Sequence, residues 1–165
     1  MNRERIEETV RLWQAEPDKA KGKPAVKARS EDSQAAMEHG SFSWRTDLPA
    51  PLGGANEAPS PTALLLSALA GCAVVFIRDT LAPQLGVRVD AIEATAQCDT
   101  DARGLLGMGG VAPDLRNIAL SIVIQSSENE DAIQKVYQVW QERCPVYLAL
   151  TKALPVASSL EIKRA

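Results

Sequence analysis

Apolar residues recur with a helical period at the start of the chain. Ile6, Val10 and Trp13 stand at i, i+4 and i+7, which places them on one face of a helix over about Arg3 to Glu16. Pro17 stops it, because proline removes a backbone donor and clashes with the preceding turn. The DKAKGKP that follows is Lys-rich and holds Gly22 and Pro24, the composition of a solvated connector. From Ala25 to Thr46 the helical period vanishes. AVKARS, QAAMEH and SFSWRT, separated by the turn-forming EDS and HG, predict three antiparallel strands. LPAPLGGANEAPSP is then an irregular loop that ends in a helix start, with Ser60 as N-cap and Pro61 at the first helical position.

The segment TALLLSALAGCAVVFIRDTLAPQLG is apolar on every side as far as Ile77, which predicts a central helix enclosed by protein all round. Its apolar stretch from Ala63 to Ile77 has 15 residues, broken at Ser67. A bilayer span needs roughly 20, so a core helix and no membrane partner are expected. Pro83 is expected to kink or end the helix and Gly86 to supply its stop. Val87 to Thr100 and Asn117 to Gln125 alternate with period two, the second with Ile118, Leu120, Ile122 and Ile124 on one face, and read as long strands. DARGLLGMGGVAPDLR between them is a loop or hairpin tip. Ser127 and Glu130 form a capping box for a helix whose inner face is Ile133, Val136, Tyr137, Trp140 and Cys144. Pro145 restarts a short helix with Cys144 at its edge, Pro155 ends it, and Val156 to Arg164 predicts a last strand. Strands and helices segregated in this order argue an α+β fold.

A length of 165 residues suits one domain. Eighteen Lys and Arg against 21 Asp and Glu leave a formal charge of −3, which gives no basic field for nucleic acid or an anionic membrane. Three cysteines cannot form a closed set of disulfides, and MNRERIEETV carries charges where a signal peptide has an apolar run, so a reducing, cytoplasmic setting is expected. Gly53, Gly54 and GMGG lack phosphate-loop context. The cysteines and His39 lack metal-ligand spacing; a serine triad needs a general base, His39 is the only histidine, and no triad is assigned. No cofactor and no metal are expected. Cys98 alternates with Ile92, Ala94 and Ala96 along a strand and reads as a small buried hydrophobe. Cys72 has the same reading as helix filler. Cys144 differs, because a thiol at a helix start feels the positive end of the dipole, which favours the thiolate.

Taken together, LGGANEAPSPTALLLSALAGC, the DARGLLG loop and the CPV after a helix resemble the OsmC/Ohr family of thiol-dependent hydroperoxide reductases and related redox proteins. The resemblance begins at about Ala25, which divides the chain into an N-terminal helix with its connector, residues 1–24, and an OsmC-like domain, residues 25–165. It implies antiparallel sheets wrapped around a buried central helix in an intertwined homodimer. It implies that Cys72 occupies the peroxidatic position and Cys144 the resolving one. A Cys72 thiolate would attack the O–O bond of an organic hydroperoxide, and the resulting sulfenic acid would condense with Cys144 to a disulfide. An external dithiol reductant would then restore both thiols; lipoylated proteins fill that role in one branch of the family.

A buried thiolate needs a cation, and family members draw an arginine from the N-terminal strands. Arg29 is the nearest match and Arg45 the second. Family enzymes also carry a glutamate in the first turn after the helix-start proline, where this chain has Thr62 and Ala63. Glu57 in the preceding loop is the candidate substitute, and with Arg45 it is assigned to substrate binding. Three readings stay open: a thiol peroxidase, a non-catalytic thiol-containing stress or small-molecule-binding protein of the same fold, and a structural dimer with inert buried cysteines.

Overall fold

The computed structural model describes residues 2–152 and 154–164. Helix α1 (Asn2–Ala15) is followed by a single 3-10 turn at Pro17–Ala20. Strands β1 (Lys27–Glu31), β2 (Gln34–His39) and β3 (Phe42–Thr46) form an antiparallel sheet in the order β1-β2-β3. Its two tight turns pass through positive φ at Asp32 and Gly40, the residue types that accept that conformation. The register places Arg29, Ala36 and Arg45 side by side across the three strands. With side chains alternating between faces, one face carries Arg29, Glu31, Glu38 and Arg45, and the other Ala28, Met37 and Trp44.

The central helix begins as expected: Ser60 Oγ accepts from the Ala63 N–H at 3.2 Å, with Pro61 in the first turn of α2 (Pro61–Phe76). Pro83 does not end it. A π-turn at Ile77–Leu81 carries the helix into α3 (Ala82–Leu85), with the Ala82 N–H bonded to the Ile77 carbonyl. An i→i+5 turn widens the helix where the proline ring would otherwise strike the carbonyl one turn back. Gly86, at φ 70°, makes the left-handed stop.

Strands β4 (Ala91–Asp99) and β5 (Arg116–Gln125) pair antiparallel, with a register shift between Gln97 and Asp99. β4 starts four residues later than its alternation suggested, since residues 87–90 lie outside the ladder. The loop between them holds one helical turn, α4 (Ala102–Leu105), capped by Asp101. Helix α5 (Glu130–Arg143) is capped by Asn129, whose side chain accepts from the Ala132 N–H, so the Ser127/Glu130 capping box does not form. Asn is as good a cap as Ser, and it lies one residue before the acidic first turn. Helix α6 (Pro145–Thr151) follows directly.

Ala73, Ile77 and Leu81 of the central helix meet Val136, Val139, Trp140 and Cys144 in the core, and Ile92, Ala94, Leu120, Ile122 and Ile124 of the β4-β5 pair pack against them. The helix is therefore a core helix, although Pro61–Leu85 is by length and composition apolar enough to cross a membrane. Two expectations require correction. The central helix is not enclosed all round within one chain: Ser67, Ala68 and Gly71 are exposed and Val75 is 50 % exposed. Residues 154–164 form no strand, and Val156, Leu160 and Ile162 stand in solvent. A strand exists only when another edge completes its hydrogen bonds, and among the described residues no strand edge pairs with them.

Candidate functional site

The inside of one helix and the junction of two others build the thiol pair. α2 delivers Cys72 from its fourth turn, half-buried, on the side that faces α6. On α5, Val136, Trp140 and Cys144 follow one another at four-residue intervals and are all fully buried. Cys144 leaves the helix with extended backbone, at φ −70° and ψ 114°, and so becomes both the C-cap of α5 and the N-cap of α6. Pro145 enforces that switch, because the residue before a proline is driven out of the helical region. The Cys144 Sγ accepts from the Tyr147 N–H at 3.5 Å.

The Cys72 and Cys144 sulfurs are 3.0 Å apart. A disulfide bond is about 2.05 Å, so both are free thiols in non-bonded contact, one S–H directed at the other sulfur. Burial pushes the Cys72 thiol up to about 11, reinforced by the hydrogen bond and charge of Cys144 and opposed by the Val146 N–H. No arginine is among the groups that act on it. Trp140 forms the wall behind the pair, its ring stacked on Tyr137 at 5.9 Å and tilted against Tyr147 at 5.0 Å. Its indole Nε1 is buried without a partner among the described residues.

The remaining predicted residues gather elsewhere. Arg29 pairs with Glu38, which raises the guanidinium pKa, and its Nη2 is 3.9 Å from Glu31. Arg45 is bonded to Glu31 at 2.6 Å and to the Gln34 side chain at 3.1 Å. Gln34 in turn donates to Glu57 at 3.2 Å, so Glu57 reaches Arg45 through one amide. Arg29, Glu31, Glu38 and Arg45 surround a cleft of about 380 Å³ on the charged face of the sheet. Within one chain, then, Cys72 meets Cys144, and Arg29, Arg45 and Glu57 share a separate network. Thr62 and Ala63 stand at the start of α2, where Ala63 is taken up in the cap.

Two contributors were not expected. Asp47 is buried, and its carboxylate accepts the N–H groups of Leu48, Ala55 and Glu57 at 2.7 to 3.3 Å, which fixes the loop that carries Glu57. These bonds, Glu57 first, hold its carboxyl below the usual range against the opposing effect of burial. A Cβ on Gly54 would lie 1.9 Å from the Leu48 carbonyl oxygen, so only glycine fits that loop. The other contributor is the pair of amides at Val146 and Tyr147, one on each sulfur. Proline at the first helical position was their signal, because the N–H groups after it have no intrahelical acceptor.

Solved structures share this fold. An OsmC like protein from Mycoplasma pneumoniae superposes with a TM-score of 0.65 at 23 % identity, over 79 % of this chain and 88 % of that one. An organic hydroperoxide resistance protein OsmC from Legionella pneumophila follows at 0.59 and 21 %, over 78 % and 89 %. The organic hydroperoxide resistance protein OhrB of Bacillus subtilis gives 0.50 and 17 %, over 78 % and 90 %. No curated protein matches the sequence. The family model for OsmC-like protein matches residues 54–159, a span that contains the capped central helix, both contacting thiols and the two strands that pack on them. The chain belongs to the OsmC-like family.

Proposed function

We propose that this chain is a thiol peroxidase that reduces organic hydroperoxides through Cys72 and Cys144. The observation that carries the reading is the 3.0 Å contact between the two sulfurs, from which a disulfide can close with little movement. The Cys72 thiolate attacks the distal oxygen of ROOH and the O–O bond breaks. The alkoxide takes up a proton and leaves as ROH, and Cys72 becomes a sulfenic acid. The Cys144 sulfur then attacks the Cys72 sulfur, water leaves, and the disulfide forms. An external dithiol, a lipoylated protein being one candidate, returns two electrons and two protons. The Val146 N–H favours the charged state of the Cys72 sulfur.

A thiol near 11 reacts slowly at neutral pH, so the reading requires a cation that one chain does not bring to Cys72. The open face of α2 and the unpaired residues 154–164 are the places where a second copy would complete the structure, and a homodimer is proposed in which Arg29, or else Arg45, of one subunit serves Cys72 of the other. The activity is assigned to the cytoplasm. Relatives named as organic hydroperoxide resistance proteins support this substrate class. The absence of a carboxylate at Thr62 and Ala63 favours a second reading, a thiol-containing small-molecule-binding protein that keeps the pair and turns over slowly.

One equivalent of cumene hydroperoxide is expected to consume two thiols per chain, and peptide mapping is expected to find Cys72 joined to Cys144 with Cys98 free. A disulfide that contains Cys98 would move the resolving role. Thiols left intact by the peroxide would leave the binding-protein reading.

A further inference from the structure

The apolar stripe of α1 is only partly covered. Val10 is 37 % and Trp13 46 % exposed, and together with Ile6 they wall a groove of about 340 Å³ between α1, the central helix at Phe76 and the end of α5. This volume falls in the range of roughly 300–1,000 Å³ typical of small-molecule sites. α1 lies outside the matched segment 54–159.

The groove has two unlike ends. Arg3 lies against Gly86, its guanidinium 3.4 Å from where a Cβ would stand, whereas Trp13 shares the groove with Phe76. α1 therefore runs antiparallel to the central helix, and ten residues of helix separate the ends by about 15 Å. Near the Gly86 end stand Arg5 and Arg143, the latter bonded to the Gln84 amide oxygen at 3.2 Å. No Asp or Glu lines the groove. Among the described residues neither guanidinium has a carboxylate partner, whereas Arg3 is already paired with Glu7. Two uncompensated cations at one end of an aromatic and aliphatic trough complement a molecule with one anionic head and an unbranched apolar tail.

We propose that this groove binds a medium-chain alkyl carboxylate, its carboxylate held by Arg5 and Arg143 and its chain laid along Ile6 and Val10 to Trp13 and Phe76. The site is separate from the thiol pair and does not require peroxidase activity. Calorimetric titration of the full-length protein with decanoate below its micelle concentration is expected to show one saturable site per chain. Decanol should bind at least about tenfold more weakly, because charge-assisted hydrogen bonds to the head group supply the difference, and butanoate should not saturate. Arg5→Gln combined with Arg143→Gln should lower decanoate affinity to that of decanol, and Trp13→Ala should weaken both ligands. Circular dichroism of each variant checks that it is folded. Lack of saturable decanoate binding by the folded protein, or unchanged decanoate affinity in the double-arginine variant, overturns the proposal. So does a Trp13→Ala variant that sediments differently yet binds decanoate as before, because the groove would then be filled by a second copy.

Discussion

At Cys144 the chain leaves one helix and enters another, and that backbone switch brings the sulfur within 3.0 Å of Cys72. The contact raises the Cys72 thiol beyond what burial does. Cys144 contributes to holding the Cys72 proton, so its removal should release it. In a Cys98→Ala background, Cys144→Ala is expected to lower the Cys72 titration from about 11, followed by thiolate absorbance in the ultraviolet against pH. The same variant, given one equivalent of hydroperoxide, should stop at the sulfenic acid, which a dimedone adduct at Cys72 would reveal by mass. A titration that rises instead would mean that burial alone, deepened by the substitution, governs this thiol.

At the scale of the element, the loop that carries Glu57 is organised by a single carboxylate. Asp47 accepts several backbone N–H groups, so its folded pKa lies below its ordinary value of about 3.9. A depressed carboxyl contributes stability that is fully present above the unfolded pKa and is lost as pH falls through the lower folded value. Asp101, held at about 2 chiefly by its hydrogen bond to Arg103, adds to the same acid limb. Asp47→Asn is therefore expected to lower stability at pH 7 and to flatten its loss between about pH 4 and pH 2, as read from urea midpoints across pH. An acid limb as steep as that of the unsubstituted protein would transfer the whole effect to Asp101 and other carboxylates.

The elements also show which features of this fold are legible in a linear sequence. The Ile6-Val10-Trp13 stripe, the Ser60-Pro61 start and the alternation of β5 are local patterns, and each sits where its pattern put it. The Cys72–Cys144 contact was legible only through the family motifs, because it joins residues on different helices. The π-turn was not legible, since proline in a helical run ordinarily signals a break and the relief by an i→i+5 turn depends on packing on both sides. Asp47 went unnoticed because its N–H donors are spread over residues 48–57 and follow no side-chain code. Asn129 took the cap from Ser127 by a shift of two positions, which sequence leaves open wherever several good caps are adjacent.

At the scale of the whole molecule, the sequence of the central helix calls for more protein than one chain provides. Its apolar residues run round all sides, yet Ala68, Gly71 and Val75 are open, and the small residues Ala68 and Gly71 leave room for a second backbone to come close. The charged face of the β1-β3 sheet poses the complementary question, because Arg29 and Arg45 are held ready by Glu38 and Glu31 without being directed at the thiols of their own chain. The proposed two-fold dimer would join these halves with one repeated interface.

Such an arrangement makes a prediction that a single-chain active site does not share. Cys72→Ser and Arg29→Ala should each depress hydroperoxide reduction, the first by removing the attacking sulfur and the second by removing the charge that favours its thiolate. If arginine and thiol come from different subunits, unfolding the two variants together and refolding them as a mixture assembles dimers in which one site has lost both groups and the other has kept both. Half of the dimers are mixed by chance and each has one intact site of two, so activity should return to about a quarter of the unsubstituted level. Recovery with Arg45→Ala in place of Arg29→Ala would assign the cation to Arg45, with Glu57 acting on it through Gln34. Activity no higher than that of the separate variants, in mixtures shown by sedimentation to be dimeric, would place arginine and thiol in the same chain and require the β1-β3 sheet to swing onto its own central helix. A chain that sediments as a monomer at micromolar concentration and still reduces peroxide would remove the dimer from the mechanism altogether.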